Sequence, residues 1–176
     1  MTRTSLTPTR IVWAVNKLQI NPDQRILEIG GGRGVAADLI CARLTTGSYL
    51  GIDRSATAVS ASSERNRRHV ESGKAVFQQL TLEGLDAAAV GRFDIVFAIN
   101  VNVFWTRPAQ RELALVRQLL NDQGQLWLFY EAPTAAATSR ISKLLSEHLD
   151  QASYAFDVVT ETVEGSRLFG LRCSPR

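Results

Sequence analysis

The sequence predicts an α/β fold: a doubly wound, mostly parallel sheet with helices on both faces and one antiparallel strand at its end. Three observations carry this. After a first helix, short apolar runs and stretches of helical spacing alternate five times, as expected when each parallel strand is followed by a crossover helix. Four of the five residues Gly30–Gly34 are glycine, and they stand between the first strand pattern and the next helix. The chain then closes on two consecutive strand patterns joined through Glu164-Gly165, a hairpin signature.

The elements follow in order. Ile11, Val12, Val15 and Leu18 recur at helical spacing, and Asn21-Pro22-Asp23 ends that helix. Residues 1–20 are expected to pack on a single domain spanning residues 1–176. Arg25–Ile29 is a buried-strand run stopped by glycine, and Val35–Leu44 is helical. Tyr49–Ile52 is a second strand ending at Asp53. Ser55 suits the N-cap of a helix running to about Ser72, closed by Gly73. Ala75–Leu80 is a third strand, and Leu82–Val90 a short helix closed by Gly91. Phe93–Ile99 has the continuous apolar character of a strand buried on both faces. Pro108 opens a helix to Leu120, Asp122-Gln123-Gly124 turns the chain, and Leu126–Tyr130 is the fifth strand. Thr134–Leu149 is the last helix, before strands Tyr154–Thr160 and Arg167–Cys173.

Composition excludes several classes. The chain has 176 residues, enough for one domain with its own core. Its two cysteines, Cys41 and Cys173, form no metal-ligand or CxxC spacing, so a reducing, cytoplasmic setting is expected and no metal site. The net charge of +3 is too small for a nucleic-acid footprint. Arg65–Arg68 with His69 is a local basic run that reads as a solvated helix face, so no specific nucleic-acid partner is expected. No apolar run approaches the ~20 residues that span a bilayer, and no membrane partner is expected.

The glycine loop is the most informative segment. Glycines between strand and helix let the backbone pass close to a ligand, because no Cβ intervenes and positive φ is accessible. The following helix turns its free N–H groups toward the same place. A ligand-free tight turn is the alternative, but it needs fewer glycines. Gly32-Arg33-Gly34-Val35-Ala36-Ala37 also gives a GxGxxA frame, which keeps a nicotinamide dinucleotide reading open. Asp53 fits either ligand, since a carboxylate ending the second strand accepts from ribose hydroxyls. Its alternative role is helix capping, which Ser55 already suits.

Glu28-Ile29-Gly30-Gly31-Gly32-Arg33-Gly34 resembles the ExGxGxG first motif of class I S-adenosylmethionine-dependent methyltransferases. Leu50-Gly51-Ile52-Asp53-Arg54-Ser55 resembles their second motif, and Phe93–Asn100 their fourth strand in the small-molecule branch. Leu119–Leu126 resembles the turn into their fifth strand. The four matches stand in order across Ile11–Glu131. The resemblance implies a Rossmann-like seven-stranded sheet of order 3-2-1-4-5-7-6 with strand 7 antiparallel, and S-adenosyl-L-methionine as cofactor. It places Gly30, Gly31, Gly32 and Gly34 around the cofactor, with Gly30 and Gly32 at its methionine part and Glu28 on the pocket floor. It gives Asp53 the ribose and Arg54 the adenine edge. The third-strand end, where the family often has Asp, is Thr81; its hydroxyl and the Leu82 N–H are the adenine contacts implied. Asn100, ending the fourth strand, completes the set.

The acceptor is expected beyond strands four and five, where open α/β sheets bind ligands. That places Asn102, Trp105, Tyr130 and Glu131 at a small-molecule acceptor, with Phe104 as a further aromatic and Trp13 able to close over it. Asn100-Val101-Asn102-Val103 lacks the Asn/Asp-Pro-Pro-aromatic run of amino-methylating nucleic-acid enzymes. No general base is evident: His69 and His148 both read as surface residues, and the catalytic residue is left unassigned. A homo-oligomer would supply one way of excluding water. Two alternatives remain at this point. One is an NAD(P)-binding oxidoreductase, which would use Arg54 on a 2′-phosphate. The other is a catalytically silent, methyltransferase-like binding module.

Overall fold

The computed structural model describes residues 7–176. The helix expected within residues 1–20 is α1 (Thr9–Lys17), and residues 1–6 lie outside the described ones. Then follow β1 (Arg25–Ile29), α2 (Val35–Cys41), β2 (Ser48–Asp53), α3 (Ala56–Arg65), α4 (Arg67–Glu71) and β3 (Ala75–Gln79). A 3-10 turn at Leu82–Gly84 leads to α5 (Ala87–Val90) and β4 (Phe93–Ile99). The second half holds α6 (Val103–Thr106), α7 (Gln110–Leu119), β5 (Leu120–Ala132), α8 (Ala135–Gln151), β6 (Tyr154–Val163) and β7 (Ser166–Pro175).

The strands form one seven-stranded sheet of order β3-β2-β1-β4-β5-β7-β6, in which β7 runs antiparallel to both neighbours. This is the expected topology. β1 and β4 sit centrally and are apolar on both faces, since successive side chains point to opposite sides. Leu27, Val96 and Leu128 join the core beneath α7 and α8; Ile26, Phe97 and Phe129 join the core beneath α1 and α2. The central strands therefore end together at one sheet edge, and the loops after β1, β2, β3 and β4 gather there.

Several elements differ from the sequence expectation. The helix expected over Ser55–Ser72 breaks at Asn66, whose buried side chain donates to the carbonyls of Gly34 and Ser62, both at 2.9 Å. Side-chain amides that satisfy backbone groups in this way compete with helix continuation. Ser55 does cap α3, accepting from the Ala58 N–H. The Asp122-Gln123-Gly124 turn lies inside β5: Phe93 pairs with Leu120 and Ile95 with Gln125, so the extra residues bulge. A Cβ at Gly124 would lie 2.9 Å from the Phe93 carbonyl, so glycine is needed for that approach. Leu82–Val90 forms a 3-10 turn and a single helical turn, and α6 was not anticipated.

Two residues sit elsewhere than expected. Trp13 does not close over a site: it is buried edge-on against Phe129 at 5.5 Å, and its indole N–H donates to Glu161 at 2.7 Å, tying α1 to β6. His69 is not at the surface; it is buried beside Asp38, where desolvation and the adjacent Arg68 charge hold its pKa below the usual value. Around it the basic run is locally satisfied, Arg68 pairing with Asp38 at 3.0 Å and Arg65 donating to the Arg33 carbonyl at 3.1 Å.

Candidate active site

A cleft of about 520 Å³ opens where the loops after β1, β2, β3 and β4 meet, within the usual range for small-molecule sites. The glycine loop forms one end. The N–H groups of Gly30 and Gly31 both donate to the Ile52 carbonyl, at 2.8 and 3.1 Å, so the loop extends the β1–β2 pairing before it turns. Gly30 has φ +72° and Gly32 φ +53°, in the left-handed region that favours glycine. A Cβ at Gly30 would lie 2.7 Å from Val101, whereas one at Gly32 would meet nothing within 4 Å. Gly30 is thus wedged against the loop after β4, and Gly32 faces open space.

Asp53 pins this arrangement. Its Oδ2 accepts from the Gly32 N–H at 2.9 Å and its Oδ1 from the Ser55 N–H at 2.9 Å. The carboxylate lines the cleft, and each oxygen keeps a lone pair free for a ligand hydroxyl. Asp53 does not cap α3, whose N-cap is Ser55; it holds the N–H of that cap residue instead.

Gly30, Asp53, Arg54, Thr81, Leu82, Asn100 and Asn102 all line the cleft. Asn100 adopts φ +56°; its side-chain oxygen accepts from the Glu131 N–H at 2.9 Å and its own N–H donates to the Phe129 carbonyl at 2.8 Å. That double tie holds the chain in a sharp turn as it leaves β4.

Other expected site residues stand apart from the lining. Glu28 is buried below the glycine loop, where its carboxyl Oε2 accepts a hydrogen bond from the Tyr49 hydroxyl. Burial pushes its pKa up to about 8, the Tyr49 bond pulling the other way and the Asp53 charge adding to the rise. Gly31 packs over that carboxyl, its Cβ position 3.1 Å from Oε2. Gly34 serves helix packing: a Cβ there would sit 2.5 Å from the Asn66 amide nitrogen and 2.8 Å from Ser62.

Three of the expected acceptor contacts stand outside the cleft lining. Tyr130 is a core residue, 4% exposed, whose hydroxyl donates to the Val101 carbonyl at 2.7 Å; it shapes the cleft only by holding the loop after β4. Glu131 turns away from the cleft, pairing with Arg10 at 3.2 Å and accepting from Ser166 at 2.6 Å. Trp105 packs on the core with its indole N–H on Asn102 at 3.3 Å. Burial of ring surface decided the orientation of Tyr130 and Trp105, and the ion pair with Arg10 that of Glu131. His148 is also engaged, its Nδ1 lying 2.9 Å from the Phe104 carbonyl.

Sequence reasoning missed the far end of the cleft. Glu83 follows β3, Arg107 precedes α7 and Glu112 lies in its first turn; all three line the cleft. Arg107 reaches Glu112 Oε1 at 2.5 Å and Glu83 Oε1 at 3.2 Å. The Glu83 backbone N–H, followed by hydrogen bonds from Thr81 and Glu112 and the Arg107 charge, holds its carboxyl below the usual range against partial desolvation. In sequence these are ordinary helix and loop charges, and no local pattern marks them.

The comparisons with known proteins bear on this geometry. A family model described as a methyltransferase domain matches residues 27–126, which carry the glycine loop, Asp53, the β3 end and β4. The chain belongs to this methyltransferase family. Its activity is S-adenosylmethionine-dependent methyl transfer, and the nicotinamide alternative falls with that match. A search of curated proteins returns no match.

Among solved structures, geranyl diphosphate methyltransferase in complex with S-adenosylmethionine superposes with a TM-score of 0.72 at 10% identity, covering 94% of this chain and 84% of that one. The ribosomal protein L11 methylase of Lactobacillus delbrueckii subsp. bulgaricus gives 0.69 at 18%, covering 97% and 79%. The [4+2]-cyclase SpnF gives 0.72 at 13%, covering 94% and 80%. At these identities the likenesses establish the fold, and their differing reactions show that it does not dictate an acceptor. No helix among the described residues is long and apolar enough to cross a membrane.

Proposed function

We propose that this methyltransferase acts on a small-molecule acceptor, with S-adenosylmethionine lying along the cleft from Gly30 past Asp53 to Thr81 and Leu82. The observation that carries the cofactor placement is the Asp53 carboxylate, fixed by two backbone N–H groups with acceptor capacity left toward the cleft. A cofactor bound there supplies an activated sulfonium methyl group. The chain's contribution is alignment: Gly30 allows close backbone approach, and the tied turn at Asn100 fixes the loop that borders the acceptor end. Proximity and orientation of this kind supply several kcal/mol of a transfer barrier. Asn100, Asn102 and Thr106 offer the acceptor polar side chains along this loop. The modest cleft volume and the absence of the nucleic-acid-type run after β4 favour a small acceptor.

The test is calorimetric titration with S-adenosylhomocysteine, with NADH and NADPH in parallel. The homocysteine compound is expected to bind in the micromolar range, and Asp53→Ala to weaken it about 100-fold through two lost charge-assisted bonds. Asp53→Asn keeps one acceptor and should fall between. Binding of a nicotinamide cofactor alone would sink the proposal. Binding of the homocysteine compound then justifies a screen of small acceptors with methyl-labelled cofactor, in which transfer only to protein or nucleic acid would refute the acceptor class.

A further inference from the structure

The sheet ends in two unlike edges. β3 is only 5 residues long, and a short edge strand offers little to pair with. β6 is 10 residues long and runs along β7 without a break in register, from Tyr154 opposite Pro175 to Val163 opposite Ser166. The two-residue turn Glu164-Gly165 makes Val163 and Ser166 a hydrogen-bonded pair, which fixes the alternation. Asp157, Val159 and Glu161 turn their backbone groups toward β7, and Phe156, Val158, Thr160 and Thr162 turn theirs outward. Among the described residues those outward groups meet no hydrogen-bond partner. Long edges are ordinarily blunted by lysine, proline, a bulge or charge. β6 has no lysine, no proline and no bulge. Its carboxylates are already neutralised: Asp157 pairs with Arg172 at 2.8 Å, and Glu161 pairs with Lys17 at 3.2 Å while accepting from the Trp13 indole. Between them Val158 stands 47% exposed.

We infer that β6 pairs with β6 of a second copy, antiparallel about a twofold axis at Val158, so that two sheets join into one. Residues directly opposite in a sheet point to the same face, and this parity leaves few registers. Centred on Val158, the exposed valine meets its own copy through both backbone groups, and Phe156 faces Thr160 of the copy. On the other face Asp157 meets Val159 and Glu161 meets Ala155. Centred on Val159, Asp157 would face Glu161; centred on Asp157, it would face itself. Like charges directly opposite destabilise a sheet, so the Val158 register is selected. A second copy suits this edge because the segment is complementary to itself there, as an isologous twofold contact requires. Antiparallel pairing also sends the two clefts to opposite ends of the joined sheet, so pairing is independent of what the cleft binds.

The experiment is sedimentation velocity of the whole chain over a range of concentrations. The unaltered chain is expected to dimerise reversibly. Val158→Lys sets two ammonium groups against each other on the axis and should weaken self-association about tenfold, with the denaturation midpoint little changed. Val158→Asp should do the same, and an equal mixture of the two variants should recover pairing, because unlike charges then meet. A second measurement involves no charge. Val158→Cys places two thiols on a hydrogen-bonded pair, whose Cα separation of about 5.5 Å suits a disulfide, so mild oxidation should link the copies. Thr160→Cys, opposite Phe156, should not link, and the buried Cys41 and Cys173 do not compete. A monomer at every concentration overturns the inference and leaves the edge to another partner. Dimers that ignore Val158→Lys overturn it too, as does linkage through Thr160→Cys in place of Val158→Cys. Should Val158→Lys fail to fold, the unaltered chain and the two cysteine variants still decide.

Discussion

At the glycine-loop end of the cleft the surface is mostly backbone, and its shape follows from a missing side chain. Gly30 takes a positive φ with Val101 against it, and Asp53 ties the loop through N–H groups. At the Thr81 end the surface is mostly side chain: Glu83 and Glu112 share Arg107, drawn from two loops and a helix that meet only in the fold. The contrast teaches that the first end is rigid by local covalent geometry, whereas the second depends on one ion network. The first should tolerate almost no added bulk at Gly30, and the second should tolerate bulk but not the loss of a charge.

The largest effect is expected at the backbone end. Gly30→Val places a branched Cβ in a left-handed conformation 2.7 Å from Val101, and should cost about 4 kcal/mol from strain and overpacking together. Chemical denaturation would measure it, and S-adenosylhomocysteine binding should be lost as well. A fully stable variant would break the claim that this end is rigid.

Next comes the carboxyl beneath that loop. Glu28 has a folded pKa raised to about 8 from an ordinary value of 4.5. In the window between them the folded state holds a proton that the unfolded state has released. Its contribution is therefore full below pH 4.5 and is lost as pH rises through 8. Stability should fall by about 4 kcal/mol across that range. Glu28→Gln, which cannot ionise, should flatten the profile; an unchanged slope would show that the carboxyl is already charged in the fold.

At the side-chain end, Arg107→Ala removes the partner of a carboxylate that is 2% exposed, and a loss of about 2 kcal/mol is expected. Added salt should not restore it, because the Glu112 side of the pair is out of solvent. A neutral result would mean that the network is dispensable and that the two ends are less different than drawn.

The smallest effect tests the loop shared by both ends. Tyr130→Phe deletes only the hydroxyl on the Val101 carbonyl and should cost about 1 kcal/mol, with a modest weakening of cofactor binding. A loss confined to stability would separate the loop from the cleft.

The sequence alone determined the parts of this protein that rest on local rules. Alternating periodicities gave a parallel sheet, and the Glu164-Gly165 turn forced the last strand back antiparallel. Gly30, Asp53, Thr81 and Asn100 were legible because each stands at a strand end, and the ends of parallel strands meet along one edge. The rest was decided by contacts between segments far apart in the chain. Tyr49 reaches Glu28 because β1 and β2 pair with Glu28 opposite Gly51, which places the two side chains on one face two residues apart. Tyr130 and Glu131 stood at a strand end like the others, yet the aromatic ring went to the core and the carboxylate to Arg10. Glu112 read as one more polar residue of an amphipathic helix until α7 packed beside the turn after β3. Burial and the identity of a distant partner have no local signature, so only the tertiary structure could turn that carboxylate into part of a site.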